Sequence, residues 1–221
     1  MGKGKFIVFE GIDASGKTTQ SKMLRRYLVG KRLDVYWTHE CSDGPIGKVI
    51  REEYLSGKRQ GDPRILNMLY AIDRLDHLTN NEDGIINFIE NEVNVISDRY
   101  YMSSIAYHGS LFIYKPDLYH SELYSIYKQN LINMKLLKPD ITIYIDINPE
   151  DAYSRLQSRN ENKEIFDSLV SLRRVHLAYK DAINILKDSN ESIAIIDGNK
   201  SVEEVFNNVL KVIRSNKILD I

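Results

Sequence analysis

Residues 11–18 read Gly-Ile-Asp-Ala-Ser-Gly-Lys-Thr, a complete G-x-x-x-x-G-K-[ST] phosphate-binding loop. Glycines let such a loop curl around a polyphosphate with its backbone N–H groups pointing inward, and the following helix adds the positive end of its dipole. Lys17 is then expected to reach the β- and γ-phosphates of a nucleotide, and Thr18 to hold a magnesium ion. The motif predicts a nucleotide site formed by Gly11, Ile12, Asp13, Ala14, Ser15, Gly16, Lys17, Thr18 and Thr19.

A second charged group follows the apolar run Val93–Ser97, where the sequence reads Asp98-Arg99-Tyr100. At the end of a strand, Asp98 would orient magnesium-bound water, and the forked guanidinium of Arg99 suits a bidentate contact with a second phosphate. An ordinary ion pair at the surface end of a strand is the alternative interpretation. Beside a phosphate loop, the pair indicates a site for a second phosphorylated ligand.

Tyr70 and Arg74 are four residues apart in the segment 63–79, whose apolar periodicity is typical of a helix. Residues at this spacing share one helix face, so the ring of Tyr70 could stack on a base while Arg74 hydrogen-bonds the edge of that base. The alternative interpretation is that the ring packs in the core and that the arginine is solvated.

Five apolar runs of strand length alternate with amphipathic segments of helix length. The predicted strands are Phe6–Phe9, Val35–Trp37, Val93–Ser97, Ile141–Ile147 and Ile193–Ile196, and the predicted helices are Thr18–Val29, Pro63–Thr79, Pro149–Ser158, Asp167–Lys187 and Val202–Ile213. This alternation predicts an α/β fold: a five-stranded parallel sheet with helices on both faces, the three-layer sandwich typical of P-loop NTPases. Ligands of such sheets bind beyond the carboxyl ends of the strands, which makes candidates of Asp13, Glu40, Asp98, Arg99 and Asp146.

The composition suits one cytoplasmic domain spanning residues 1–221. The 30 basic and 31 acidic residues give a net charge of −1, which argues against a general attraction to nucleic acid or to anionic membranes. Cys41 is the single cysteine, which excludes an internal disulfide bond and suits a reducing compartment. No run approaches 18 apolar residues, so we expect no membrane span.

In their order and spacing, these segments resemble the thymidylate kinase family over nearly the whole chain. The resemblance is carried by Gly11–Thr18, Thr38–Glu40, Gly44–Gly47, Leu69–Arg74, Asp98–Tyr100, Ser103-Ser104, Ala106-Tyr107, Leu137–Asp146 and Ile196–Val205. It implies transfer of the γ-phosphate of ATP to dTMP, giving ADP and dTDP. It also implies Mg²⁺ as the metal and a homodimer as the assembly.

Carried over by motif position, the resemblance makes Asp13 the carboxylate near the 3′-hydroxyl of dTMP, and Arg51 and Arg99 the clamp on its phosphate. Tyr70 would stack on thymine, and Tyr107 would lie beneath the sugar and disfavour a 2′-hydroxyl. Arg74 and Ser104 would contact the base edge. The implied acceptor site is therefore Asp13, Glu40, Arg51, Tyr70, Arg74, Arg99, Ser103, Ser104 and Tyr107, with Thr18 and Asp98 at the metal.

Two segments depart from the common pattern of the family. Thr38-His39-Glu40-Cys41 stands where many members have Thr-Arg-Glu-Pro, and Ala106-Tyr107-His108-Gly109 stands where many have Ala-Tyr-Gln-Gly. We interpret His39 and His108 as polar residues of the site wall, without a catalytic role.

A small lid is the remaining element that the resemblance implies. One group of the family has an arginine inside the phosphate loop, whereas this chain has Ala14 there, so the segment 153–165 must supply the charge. It offers Arg155, Arg159 and Lys163, although a solvated basic helix end is the alternative interpretation. The predicted catalytic residues are therefore Asp13, Lys17, Arg99, Arg155 and Arg159.

Two other functions remain possible from the sequence. A kinase that acts on another nucleotide or on a nucleoside would keep the phosphate loop, and a nucleoside kinase would need a base such as Glu40 to accept the hydroxyl proton. Two arginines near the acceptor suit an anionic acceptor better. A regulatory P-loop ATPase or nucleotide switch would leave the acceptor residues without a role, and Asn199-Lys200 continues as Ser201-Val202 rather than as the guanine-reading Asn-Lys-x-Asp.

Overall fold

A computed structural model describes residues 3–158 and 166–221. Five parallel strands form a single sheet in the order β2-β3-β1-β4-β5. Their bounds are β1 Phe6–Glu10, β2 Val35–His39, β3 Asn94–Asp98, β4 Ile141–Asp146 and β5 Ile193–Asp197. Ile7 of β1 is in register with Ile96 of β3 on one side and with Ile141 of β4 on the other. The predicted parallel α/β sheet is confirmed.

Ten α-helices and one π-helical turn surround the sheet in the described part of the chain. The helices are α1 Lys17–Gly30, α2 Pro45–Val49, α3 Pro63–Thr79, α4 Ile85–Glu90, α5 Tyr101–Ser110, α6 Pro116–Gln129, α7 Leu131–Leu136, α8 Pro149–Gln157, α9 Leu169–Asp188 and α10 Val202–Ser215, and the π-helical turn is Ile50–Leu55. None of these helices is long and apolar enough to cross a membrane.

The sheet has a separate apolar core on each face. Successive side chains of a strand point to opposite faces, so Phe6 and Val8 of β1 enter one core while Ile7 and Phe9 enter the other. Buried residues of α5 and α9 complete the first core, and buried residues of α1 and α10 complete the second. With both faces covered, every residue of β1 is buried, which explains its unbroken apolar run.

β1 lies at the centre of the sheet, and the order of the strands along the chain reverses direction there. The chain passes to β2 and β3 on one side of β1 and to β4 and β5 on the other. A crevice forms at such a switch point, beyond the carboxyl ends of the strands. The phosphate loop after β1 and Asp98 at the end of β3 therefore meet at the same edge.

Candidate active site

The phosphate loop connects β1 to α1 and has the backbone geometry that its glycines permit. Gly11 and Gly16 have φ angles of +151° and +98°, which L side chains rarely adopt. A Cβ atom on Gly11 would lie 2.8 Å from the carbonyl oxygen of Ile145. The buried Lys17 Nζ lies 3.3 Å from the Ile12 carbonyl oxygen and 3.6 Å from Asp13 Oδ1. The loop therefore holds its lysine among oxygen atoms of its own backbone and side chains.

Thr18 and Asp98 meet beside this loop. The Thr18 hydroxyl donates a hydrogen bond to Asp98 Oδ2. Asp98 Oδ1 is buried and has no hydrogen-bond partner among the described residues. An unpartnered carboxylate oxygen beside a hydroxyl is a donor set that suits a hard cation, which takes its other ligands from phosphate and water. This fits the predicted magnesium pair.

Arg99, at the end of β3, joins the phosphate loop to the wall of the acceptor site. Its backbone has a φ of +78°. The guanidinium pairs with Asp13 and donates to the Gly11 carbonyl (3.2 Å) and to the Tyr107 hydroxyl (2.9 Å). The Tyr107 hydroxyl in turn donates to Asp13 Oδ2 at 2.8 Å. These contacts bring together three predicted site residues that are separated by up to 94 positions.

The charges of this cluster alter one another's protonation. Burial by itself would raise the pKa of Asp13, but Arg99 and Lys17 nearby lower it below its ordinary value. Burial lowers the pKa of Lys17, with Arg99 adding to the effect. Asp13 is therefore a carboxylate at neutral pH, which matches the positive charge of Arg99.

Glu10 organises the same region and was not identified from the sequence. This buried carboxylate accepts hydrogen bonds from the Tyr100 N–H (2.8 Å), the Ser103 N–H (3.1 Å) and the Ser103 hydroxyl (2.6 Å). It thereby caps the amino terminus of α5 from outside the helix, where negative charge is favourable. The Tyr179 hydroxyl of α9 donates to it at 2.8 Å. Burial raises the pKa of Glu10, although these hydrogen bonds and Arg99 oppose the shift.

Arg74 and Glu40 form a buried pair on the opposite wall. Arg74 Nε donates to both carboxylate oxygens of Glu40, at 2.9 and 2.7 Å. Its other nitrogens donate to Asn130 Oδ1 (2.5 Å) and to the Ser104 hydroxyl (3.1 Å). Burial raises the pKa of Glu40 to about 7 even though Arg74 acts to lower it. The pair fixes the relative positions of β2, α3 and α5.

Arg51, the other predicted phosphate clamp, lies in the π-helical turn. One of its guanidinium nitrogens donates to the carbonyl oxygens of Cys41 (3.0 Å) and Ser42 (2.6 Å). Its other terminal nitrogen lies 3.4 Å from the exposed carboxylate of Asp43. These contacts hold the charge of Arg51 at the segment that follows β2.

The phosphate loop and both arginine-bearing walls line one cavity of about 400 Å³, whereas Glu10 is not part of its lining. Gly16, Lys17 and Thr18 line one part of it, and Arg51 and Arg99 line another. Every predicted acceptor residue lines this cavity, namely Asp13, Glu40, Arg51, Tyr70, Arg74, Arg99, Ser103, Ser104 and Tyr107, as do Ala14, Thr19 and Asp98. The loop residues Gly11, Ile12 and Ser15 lie behind this lining, in the loop itself.

Four further lining residues are aromatic or heteroaromatic: Trp37, His39, His108 and Phe166. The ring of Phe166 meets Tyr107 edge to face at 5.1 Å between centroids, and His108 meets Tyr70 in the same way at 5.7 Å. Trp37 and Phe166 carry no motif that would have identified them from the sequence. His39 and His108 both line the cavity, which fits their interpretation as polar residues of the site wall.

The predicted lid is only partly described. Arg155 lies on α8, and its guanidinium donates to the Ala14 carbonyl (3.4 Å) and to the Gly198 carbonyl (3.2 Å). Its charge therefore lies against the phosphate loop. Arg159 and Lys163 lie outside the described residues.

Comparisons with known proteins point to one family. The family model described as thymidylate kinase matches residues 9–209. A protein named "Probable thymidylate kinase" from Methanocaldococcus jannaschii is 36% identical over 213 residues, covering 95% of this chain and 96% of its own. The thymidylate kinase of Ligilactobacillus salivarius is 30% identical over 215 residues, covering 96% and 99%.

A solved structure supports the fold. The structure of thymidylate kinase from Candida albicans superposes with a TM-score of 0.77 at 21% identity, covering 98% of this chain and 93% of that one. At such low identity the likeness establishes the architecture, whereas the family model and the sequence relatives establish membership. On this evidence the chain belongs to the thymidylate kinase family.

Proposed function

We propose that this chain transfers the γ-phosphoryl group of ATP to dTMP, producing ADP and the dTDP needed for dTTP synthesis. One observation carries the proposal: a phosphate loop and a separate arginine-bearing wall line the same cavity. Two anionic ligands can therefore approach each other within one cavity, as phosphoryl transfer requires. Membership of the thymidylate kinase family supports the choice of dTMP and ATP.

On the donor side, Gly11–Thr19 would bind the triphosphate through backbone N–H groups and the ammonium of Lys17. Thr18 and Asp98 would hold Mg²⁺, because their side chains combine a hydroxyl with an unpartnered carboxylate oxygen. Bound there, the ion would neutralise charge on the β- and γ-phosphate oxygens. Arg155, which already lies against the loop at Ala14, would add positive charge to the donor phosphates.

On the acceptor side, Arg99 and Arg51 would bind the phosphate of dTMP. Arg99 is anchored by Asp13, Gly11 and Tyr107, so its guanidinium is oriented before the substrate arrives. Such preorganisation reduces the reorganisation that the transition state requires. Asp13 and Tyr107 would contact the sugar, with Asp13 near the 3′-hydroxyl.

The base would lie between Tyr70 and the face of α5 that carries Ser104. Tyr70 lines the cavity and offers a ring for stacking. Arg74 would contact the base edge while it orients Ser104, with Glu40 holding Arg74 in place. Ser103 supports this wall through its bonds to Glu10 and Arg99.

The buried pair also argues against a nucleoside kinase. An enzyme that phosphorylates a hydroxyl needs a base to accept its proton, and Glu40 is the candidate on this wall. Both carboxylate oxygens of Glu40 accept hydrogen bonds from Arg74. An acceptor that is already a phosphate needs no such base.

We further propose a homodimer that forms through α3. Ile65, Met68 and Ile72 are 44%, 51% and 52% exposed, and their spacing places them on one face of this helix. Ile132 and Leu136 of α7, which packs beside α3, are 61% and 44% exposed. Sedimentation equilibrium should give a dimer for the wild type and a monomer for Met68→Lys, because the charge would be buried at the interface.

We also propose that residues 1–221 act as one catalytic domain, because both apolar cores pack against the same sheet. We propose a cytoplasmic location for this enzyme, because it would use ATP and dTMP and because its single cysteine, Cys41, forms no disulfide bond.

An ADP-release assay over dTMP, dUMP, dCMP, dGMP, UMP, AMP and thymidine tests the proposed reaction. We expect dTMP to give the highest kcat/KM and thymidine to be inactive. Preferred turnover of thymidine would instead indicate a nucleoside kinase. Acceptor-independent ATP hydrolysis with no gain on adding any nucleotide would indicate a regulatory ATPase.

A further inference from the structure

Tyr179 has a buried hydroxyl that the proposed reaction leaves without a role. It lies on α9, its side chain is fully buried, and neither it nor Glu10 is among the described residues that line the cavity. The hydroxyl nevertheless lies 2.8 Å from Glu10 Oε2, 3.2 Å from the Gly11 carbonyl oxygen and 3.5 Å from Arg99 Nη1. One side-chain atom of a distant helix thus reaches the end of β1, the phosphate loop and an arginine of the acceptor site.

A second hydroxyl, that of Ser103, has the same neighbours. It donates to Glu10 Oε2 at 2.6 Å and accepts from Arg99 Nη1 at 3.1 Å. It also lies 3.0 Å from the Tyr179 hydroxyl. Two hydroxyls therefore lie between the carboxylate of Glu10 and the guanidinium of Arg99. A hydroxyl has one hydrogen to donate and two lone pairs that accept, so the direction of each hydrogen decides what these groups offer to Arg99.

Glu10 sets the direction of both hydrogens. Its Oε1 accepts from the backbone N–H groups of Tyr100 and Ser103, which can only donate, so this oxygen carries no proton. Burial raises the pKa of Glu10, but its hydrogen bonds and the charge of Arg99 oppose that shift and favour the carboxylate. A carboxylate only accepts, so the hydroxyls of Ser103 and Tyr179 both turn their hydrogens to Oε2. Their lone pairs are left for Arg99.

The guanidinium of Arg99 is therefore held on two sides. Nη2 pairs with Asp13, while Nη1 donates to the Gly11 carbonyl oxygen and to the Ser103 hydroxyl and lies next to the Tyr179 hydroxyl. Without the acceptors on the Nη1 side, Arg99 would keep its charge but lose part of its orientation. Bidentate binding of a phosphate depends on that orientation, because the donors of a guanidinium form a planar fork.

We propose that Tyr179 and Glu10 are positioning residues, which orient the guanidinium of Arg99 towards the phosphate of the acceptor without touching the substrate. This inference rests on the proposed function, in which Arg99 binds the phosphate of dTMP. The network should act on dTMP far more than on ATP. Lys17, which is proposed to bind the donor, makes no hydrogen bond to Tyr179 or Glu10 in the described part of the chain.

Titration calorimetry of a Tyr179→Phe variant tests this role. The ring would stay packed against Tyr107 and Tyr144, at 6.1 and 5.0 Å between centroids. Arg99 Nη1 and Glu10 Oε2 would each lose a partner. We expect the Kd of dTMP to rise about 10-fold and that of a non-hydrolysable ATP analogue to change by less than about twofold. The KM of dTMP should rise in parallel, with the KM of ATP unchanged.

Tyr144→Phe is the matched control. Its hydroxyl is also buried, but it has no hydrogen-bond partner within residues 3–158 and 166–221. Removal of this hydroxyl should leave the Kd of dTMP at the wild-type value. The proposal would be overturned if folded Tyr179→Phe bound dTMP as tightly as the wild type. Equal weakening of dTMP and of the ATP analogue would also overturn it, because a purely structural role predicts that result.

Glu10→Gln is a second variant, which keeps the test decisive if Tyr179→Phe does not fold. The amide oxygen of glutamine can still accept from the backbone N–H groups at α5, which turns its NH₂ group towards the two hydroxyls. These hydroxyls would then accept from glutamine and turn their hydrogens towards Arg99. We expect the Kd of dTMP to rise by at least about 10-fold. An unchanged Kd of dTMP in folded Glu10→Gln would contradict the proposal.

A double-mutant cycle shows whether Tyr179 acts through Arg99. Arg99→Lys keeps a positive charge but lacks Nη1. In that background, Tyr179→Phe should raise the Kd of dTMP by less than about twofold, whereas a further increase of about 10-fold would mean that the two residues act independently and would overturn the proposal. If the wild type binds no dTMP, the proposed function itself fails, and this outcome is visible before any substitution is made.

Discussion

Lowering the pH should destabilise the wild-type protein more than a His108→Gln variant. The ring of His108 is buried next to Arg74, and its only hydrogen-bond partner among the described residues is the Ser104 carbonyl, which accepts from the neutral imidazole. Burial lowers its pKa from 6.5 to about 4. Glutamine removes the titrating group while retaining a polar side chain.

The direction of this pH effect follows from the pH at which the folded and the unfolded protein each protonate His108. As the pH falls below about 6.5, the unfolded chain protonates His108 while the folded chain does not, so the free energy of unfolding decreases. The loss continues until the folded pKa near 4 and is constant at lower pH. The full pKa difference corresponds to about 3 kcal/mol, of which about 2 kcal/mol is reached by pH 5.

Urea unfolding at pH 7.5 and pH 5, followed by the fluorescence of Trp37, measures this effect. Trp37 is the only tryptophan of the chain and is partly buried on β2. Between these pH values, the free energy of unfolding of the wild type should fall by about 2 kcal/mol more than that of His108→Gln. The exposed His120→Gln control should follow the wild type. Equal pH dependence in His108→Gln and wild type would show that His108 is not held neutral.

Three substitutions test the proposed site. Arg155→Ala should lower kcat by about 10³ with a smaller change in KM for ATP, because its charge is proposed to act on the migrating phosphoryl group; wild-type turnover would exclude that role. Asp98→Asn should raise the Mg²⁺ concentration needed for half-maximal activity by about 10- to 100-fold, which a magnesium titration measures, and an unchanged titration would remove Asp98 from the metal site. Tyr107→Ala should raise the kcat/KM of UMP relative to dUMP by about tenfold, since the ring bulk is proposed to exclude a 2′-hydroxyl. An unchanged UMP/dUMP ratio would contradict this assignment.

The sheet was predictable because its signals are local. Each predicted strand begins and ends within two residues of the observed one, since both faces of the sheet are covered and the buried strands read as continuous apolar runs. The phosphate loop was equally predictable, because its spacing and glycines encode one backbone path. The segment 109–138 contains none of the predicted helices, and the structure shows there the end of α5 followed by α6 and α7.

Other parts of the site depend on contacts between distant positions. Glu10 accepts a hydrogen bond from Tyr179, 169 residues away, and Arg74 donates to Asn130, 56 residues away. No spacing rule relates such residues, because their meeting depends on how strands and helices cross. Glu10 directly follows the predicted strand Phe6–Phe9, and Asn130 lies outside every predicted strand and helix.

The sequence alone determined the parallel α/β fold, the phosphate loop and the family resemblance that implied the substrates. Each of these is encoded in short-range periodicity or in motif spacing. Tertiary structure alone decided which groups have spare hydrogen-bonding capacity. Arg74 and Glu40 are paired, Asp98 Oδ1 and His108 Nε2 have no partner among the described residues, and Arg99 is anchored by Asp13. Whether a buried polar atom has a partner depends on what the rest of the chain brings to it, and that is a property of the packed molecule.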